Sequence, residues 1–154
     1  MENYMKLEIS ALGVNESFAR SAVAAFALAL NPSLNELSDI KTAVSEAVTN
    51  CIVHAYEKKD KENKIVIECI ANPCEETLHI SVRDFGRGIE DLETAMLPFY
   101  TTLENEERSG LGFTIMQTFM TKFSVRSERG EGTCVSMLKK IGLTPEQEGK
   151  VEDA

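Results

Sequence analysis

The chain has 154 residues, 43% of them hydrophobic, enough for one domain with a real core. No apolar run is long enough to cross a membrane, and a net charge of −9 argues against direct nucleic-acid binding, which needs clustered Lys and Arg. The N-terminus lacks the regions of a signal peptide, so a cytoplasmic protein is expected. In chain order, residues 5–12 alternate with period two and predict a first strand, which Gly13 ends. Asn15 is placed to cap a helix over 16–30, with Phe18, Ala22, Phe26 (or Ala25) and Ala29 as its apolar stripe. Asn31-Pro32-Ser33 breaks that helix. Ser33 and Glu36 then have capping-box spacing, with Asn35 a second candidate cap, for a helix running to about residue 57. Its buried face is expected at Leu37, Ile40, Val44, Val48 (or Ala47), Cys51 and Ala55.

A charged loop, 58–63, separates this helix from a hairpin of strands at 64–71 and 77–83. A short helix over 89–95 leads into 96–109, a long stretch without a period, of the kind that is usually functional. A helix over 111–121 and a last hairpin, 122–128 with 133–140, complete a domain of residues 1–143. Residues 144–154 read as a frayed tail. Cys51, Cys69, Cys74 and Cys134 contain no C-x-x-C pair and are expected to be small buried or half-buried residues rather than disulfides or zinc ligands.

Three stretches carry chemistry. Asp84-Phe85-Gly86-Arg87-Gly88 follows a strand, so it delivers a carboxylate at the strand end and two glycines beside it. That suits a pocket where the acid fixes a polar edge and the glycine backbone packs a flat ring; a plain tight turn would look the same. Glu46, Asn50 and His54 are spaced by four and share one helix face, either a solvated stripe or the wall of a pocket. There the Asn oxygen could bind magnesium and the Glu could take a proton, while His54 fits a structural hydrogen bond better than a catalytic role. Arg108-Ser109-Gly110-Leu111-Gly112 opens a helix, and backbone N–H groups at such a terminus bind phosphate readily. Neither a Walker A loop nor a dinucleotide fingerprint is present. Gly132-Thr133, opening the last strand, says nothing by itself beyond a turn.

In order, E-x-x-x-N, D-x-G-x-G, G-x-G after a long loop and G-T resemble the GHKL (Bergerat-fold) ATPase superfamily, over nearly the whole chain to about residue 143. The resemblance implies a two-layer α/β sandwich: a mixed, mostly antiparallel sheet with helices on one face and ATP between helices and lid. Ser45 to Asn50, His54-Ala55-Tyr56 and Glu107 to Thr114 are similar to the anti-sigma-factor serine kinases, and Pro98 to Thr102 and Asn15 to Arg20 to their sporulation branch. That family holds a sigma factor inactive, phosphorylates a serine on an anti-anti-sigma protein, and acts as a homodimer. Matched by motif, Asn50 would hold Mg²⁺ and Glu46 would be the base. Asp84 would meet the adenine amino group, with Gly86 and Gly88 shaping the base pocket and Thr133 behind it. Thr101, Arg108, Ser109, Gly110, Leu111 and Gly112 would surround the nucleotide, ATP or ADP. Arg20, off the apolar stripe of its helix and a lone cation among small residues, is expected to meet a carboxylate on a partner.

Asp84-Phe85-Gly86 matches the protein-kinase tripeptide in letters only, because the accompanying Lys, Glu and catalytic-loop Asp are missing. Two other readings stay open: a binding module that uses nucleotide as a conformational ligand without turnover, and a detached ATPase domain of a sensor histidine kinase. The last calls for a phosphoacceptor histidine on a dimerisation helix, and neither His54 nor His79 is placed for that.

Overall fold

The computed structural model describes residues 1–97 and 111–148. Its strands are β1 (Asn3–Ser10), β2 (Lys64–Asn72), β3 (Thr77–Asp84), β4 (Lys122–Glu128) and β5 (Gly132–Lys140). They form one sheet in the order β1-β2-β3-β5-β4, and every described neighbour pair is antiparallel. The register lines residues up in rows across the inner face. One row is Leu7, Ile67, Val82, Val135 and Val125, and the next is Met5, Cys69, Ile80, Met137 and Phe123. Helices α1 (Glu16–Ala27), α2 (Leu34–Asn50) and α4 (Gly112–Phe119) pack against one another over that face and close a single core. The short α3 (Leu92–Ala95) is capped by Asp91. No helix among the described residues is long and apolar enough to cross a membrane.

The first helix differs from its sequence reading in two ways. Its buried stripe is Ala19, Val23 and Ala27, while Phe18 is 54% exposed and Ala29 is exposed. Small side chains let α1 approach α2 closely, and a phenylalanine in the seam would hold the two apart. Asn15 does not cap the helix. A 3₁₀ turn, Gly13–Asn15, has already begun the winding, and the Asn15 amide donates to Ser10 O instead.

The second helix starts as read: Glu36 N donates to Ser33 Oγ, and Ser33 N donates back to Glu36 Oε2. Glu36 is buried, and its other oxygen, Oε1, accepts from Gly142 N at 2.7 Å, so one carboxylate serves the start of α2 and the chain after β5. The far end of α2 loosens into a π-helical turn, Cys51–Ala55, and ends there rather than at 57. Cys74 sits exposed in the β2–β3 turn, whereas Cys51 and Cys69 are buried and Cys134 is half-buried. Burial alone pushes the Cys69 thiol up to about 12. The tail is not wholly irregular: Pro145–Glu148 form one helical turn, α5.

Glu36→Ala removes two buried acceptors at once and should destabilise the fold by about 2–3 kcal/mol, against about 1 kcal/mol for Ser33→Ala. Urea unfolding of the two variants measures this. Equal, small losses would reduce Glu36 to a helix cap and nothing more.

Candidate functional site

The inner-face rows of the sheet are apolar until the third, which runs from Ile9 and Ile65 to Asp84, with Ser127 paired to Thr133 beyond it. The row turns polar at Asp84. That residue is 4% exposed, and its Oδ1 accepts from Gly86 N at 3.0 Å and Thr133 N at 3.2 Å. Neither bond uses Oδ2. Burial raises the carboxyl above its ordinary range, opposed by the two amides and by the Cys51 thiol, which donates to it. The same burial, then the Asp84 charge, pushes that thiol well up, so Cys51 is a protonated donor and not a nucleophile.

Close approaches that only glycine permits hold this corner together. A Cβ at Gly86 would lie 2.0 Å from Ala55 O, and one at Gly132 would lie 2.2 Å from Asp84 O. Gly88 and Gly132 also have φ of +76° and +109°. Gly86 therefore packs the β3 loop on the end of α2, where Arg87 N donates to the same Ala55 carbonyl at 2.8 Å. Gly88, not Gly86, is the glycine that lines the cleft above Asp84. Tyr56 adds a further tie: its hydroxyl donates to Lys64 O and accepts from Phe85 N.

The cleft is walled by Asn50, Cys51 and His54 on α2 and its last turn, floored by Val82 and Asp84, and bounded by Phe113 and Thr133. Of the polar row of α2, Asn50 and His54 thus wall the cleft rather than forming a solvated stripe. Its other neighbour is the start of α4. A Cβ at Gly112 would sit 3.3 Å from Asn50 Nδ2, from Asn50 Oδ1 and from Glu46 Oε2. Leu111 stands half-buried just before that first residue, with no side-chain cap bond. The three sequence stretches, distant in the chain, therefore converge: Glu46 and Asn50, Asp84 with Gly88, and Gly112, joined by Thr133. Thr101, Arg108, Ser109 and Gly110, and most of the 96–109 stretch, lie outside the described residues.

Arg20 is no lone cation. Its Nη1 is 3.7 Å from Glu16 Oε1, which also accepts from Ser45 Oγ at 2.6 Å, so the arginine ends a short polar chain across the α1–α2 seam. The sequence reading missed Ser127, Tyr56 and the packing role of Gly132. Ser127 was within reach, because strand parity puts 123, 125 and 127 on one face. Tyr56 stands in the His54-Ala55-Tyr56 match, but nothing local shows which backbone groups its hydroxyl meets.

The histidine kinase-like ATPase domain family matches residues 10–139. Two proteins named anti-sigma F factor are similar over most of their length. That of Caldanaerobacter subterraneus subsp. tengcongensis is 54% identical, covering 91% of this chain and 95% of that one. That of Clostridium perfringens is 51% identical, covering 92% and 99%. Among solved structures, a chain with the RsbU and RsbW domains of a Mycobacterium tuberculosis protein superposes with a TM-score of 0.66 at 15% identity, over 90% of this chain and 32% of that one. The catalytic domain of the histidine kinase ThkA gives 0.53 at 17%, over 94% and 99%. Identities this low show a shared fold.

Because the Asp84 carboxyl is raised, its proton is held more tightly in the folded chain than in the unfolded one. Its contribution to stability is full below the ordinary carboxylate pKa of about 4 and is lost as pH rises through the folded value. Asp84→Asn keeps an oxygen for both amides and removes the titration. The stability of Asp84→Asn relative to the parent should therefore rise between about pH 4 and pH 7, as read by thermal unfolding. A difference independent of pH would mean that Asp84 is not raised.

Proposed function

The chain belongs to the anti-sigma F factor family and carries its histidine kinase-like ATPase domain, and from that membership we propose that it holds a sigma factor inactive and uses Mg-ATP to phosphorylate a serine of an anti-anti-sigma protein. We further assign it to the cytoplasm, as a homodimer. The observation that supports the kinase reading best is the meeting of Glu46, Asn50 and Gly112. A carboxylate and a neutral amide oxygen, one helical turn apart, face a helix start that has no side chain to fill the space between.

The residues present fit a nucleoside triphosphate. Asp84 Oδ2, used by neither amide, suits the amino group of adenine. The side-chain oxygen of Asn50 suits Mg²⁺, and the N–H groups at the start of α4 suit phosphate. Mg-ATP supplies the transferable phosphoryl group and the metal charge that offsets it. Glu46 takes the proton of the serine hydroxyl as the serine oxygen bonds to phosphorus and ADP leaves with the bridging oxygen. A carboxylate bound to the metal would lose basicity, so Glu46 and Asn50 keep separate roles.

Glu46→Gln keeps the shape and removes the base. It should still bind Mg-ATP and sigma factor but transfer phosphate at least about a hundredfold more slowly, while Asn50→Ala should also lose Mg-dependent nucleotide binding. A single-turnover assay with labelled ATP separates the two. Near-normal transfer by Glu46→Gln would refute the base assignment, and no transfer by the parent protein would leave a nucleotide-switched binding module.

Arg20 is half-exposed and, among the described residues, paired with the Glu16 side chain, so a carboxylate on a partner can compete for it. Arg20→Ala should weaken capture of the sigma factor or the anti-anti-sigma protein and leave ATP affinity unchanged. Pull-down with each partner, alongside calorimetry with ATP, tests this; unchanged capture of both would remove Arg20 from the surface.

A further inference from the structure

Ser127 lies on β4, outside every motif that marks the site, yet its hydroxyl is the hub of the hydrogen bonds behind the cleft. Ile89 N donates to Ser127 Oγ at 2.7 Å. Gly132 O lies 3.2 Å from the same atom, and Thr133 Oγ1 lies 2.7 Å from it. Thr133 in turn lines the cleft, and its N–H holds Asp84 Oδ1.

Counting protons restricts what this cluster can do. A serine hydroxyl has one hydrogen to give and two lone pairs to receive with. The Ile89 amide fills one lone pair. If the Ser127 proton goes to Gly132 O, which can only accept, the bond between the two hydroxyls must be made by the Thr133 proton. Thr133 then offers only lone pairs to the cleft. If the Ser127 proton goes to Thr133 Oγ1 along the shorter contact, Thr133 keeps its own proton and can donate it into the cleft. The two arrangements differ only by rotation of two hydroxyls, and they make Thr133 an acceptor or a donor toward a ligand.

A base beside Asp84 selects between them. The carboxylate accepts from an amino group. The ring nitrogen next to the amino group of adenine is an acceptor and needs a donor from the protein. A 6-oxo purine has the opposite pattern and would set its oxygen against the carboxylate. We propose that Ser127 is a positioning residue for nucleotide recognition: by donating to Thr133 Oγ1 it turns the Thr133 hydroxyl into the donor that reads N1 of adenine. The proposal rests on the nucleotide-binding reading given above and adds to it a second residue that discriminates the base.

The test pairs a change in the protein with a change in the ligand. In 1-deaza-ATP the ring nitrogen N1 is replaced by C–H. The parent protein should bind ATP about tenfold more tightly than 1-deaza-ATP, the scale of one neutral hydrogen bond. In Thr133→Val, which removes the donor itself, that ratio should fall to about two or less; in Ser127→Ala, which leaves the Thr133 hydroxyl free to turn away from N1, it should fall part of the way, and in Ser127→Thr, which restores the hydroxyl at 127, it should return. Ser127→Cys keeps the shape with a weak donor and should show the same partial fall should the alanine variant fold poorly. A merely structural role for Ser127 would lower both affinities together and leave the ratio at its parental value, which overturns the proposal. A parent protein that binds neither nucleotide overturns the nucleotide reading itself, a result distinct from a ratio that ignores Ser127.

Discussion

A single buried carboxylate oxygen, Asp84 Oδ1, joins two parts of the chain that have no sequence proximity. One of its donors is the amide of Gly86, just beyond β3, and the other is the amide of Thr133, at the start of β5. β3 and β5 are neighbours in the sheet although α3, α4 and β4 intervene between them in the chain. The bond to Thr133 thus extends the β3–β5 ladder past its last paired residues, Arg83 and Cys134. Burying an acid is unfavourable unless hydrogen bonds compensate, and here two amides and a thiol do so only in part, since the carboxyl stays raised. Neither amide uses Oδ2, so a further donor in the cleft would complete the solvation that folding removed.

The glycines follow from that constraint. With Asp84 drawn inward, the backbone on either side must run against its neighbours, Gly86 against Ala55 and Gly132 against Asp84 itself. Ala55 can receive both the Gly86 contact and the Arg87 amide because the last turn of α2 is wound wider, as a π turn. An ordinary α-helical turn would direct the terminal carbonyls differently, and such irregular turns are frequent at functional sites. Cleft and helix end are therefore one feature: the turn that ends α2 also brings Cys51 against Asp84 and His54 onto the wall.

Strand positions were readable in the sequence because alternation with period two survives on a sheet with one covered face, and all five strands stand within two residues of their expected bounds. The capping box of α2 was readable for a local reason: its partners lie three residues apart. The expected stripe of α1, Phe18, Ala22 and Phe26, lies one position before the buried one, because a close helix seam selects small residues, Ala19, Val23 and Ala27, and leaves Phe18 outside. Gly86 was taken for a ligand surface because sequence shows that a side chain is absent but not what fills its place. The convergence of Glu46, Asn50 and Gly112 could be inferred only from the order of motifs, since no local pattern states which helix meets which.

What fixes that convergence is packing at the opposite end of α4. Lys139, on β5, is buried, and its Nζ donates to Phe119 O, the last carbonyl of α4, at 2.6 Å and to Asp39 Oδ2 on α2 at 3.1 Å. A buried ammonium without its carboxylate would be strongly unfavourable, so this bond holds α4 against α2 rather than merely decorating the seam. Asp39 is two helical turns before Glu46 on the same rod. The rod that anchors the C-terminal end of α4 at Asp39 therefore also presents the polar side chains that meet its N-terminal end at Gly112. The distance from Gly112 to Glu46 and Asn50 is then set by two packed helices and one partly buried ion pair.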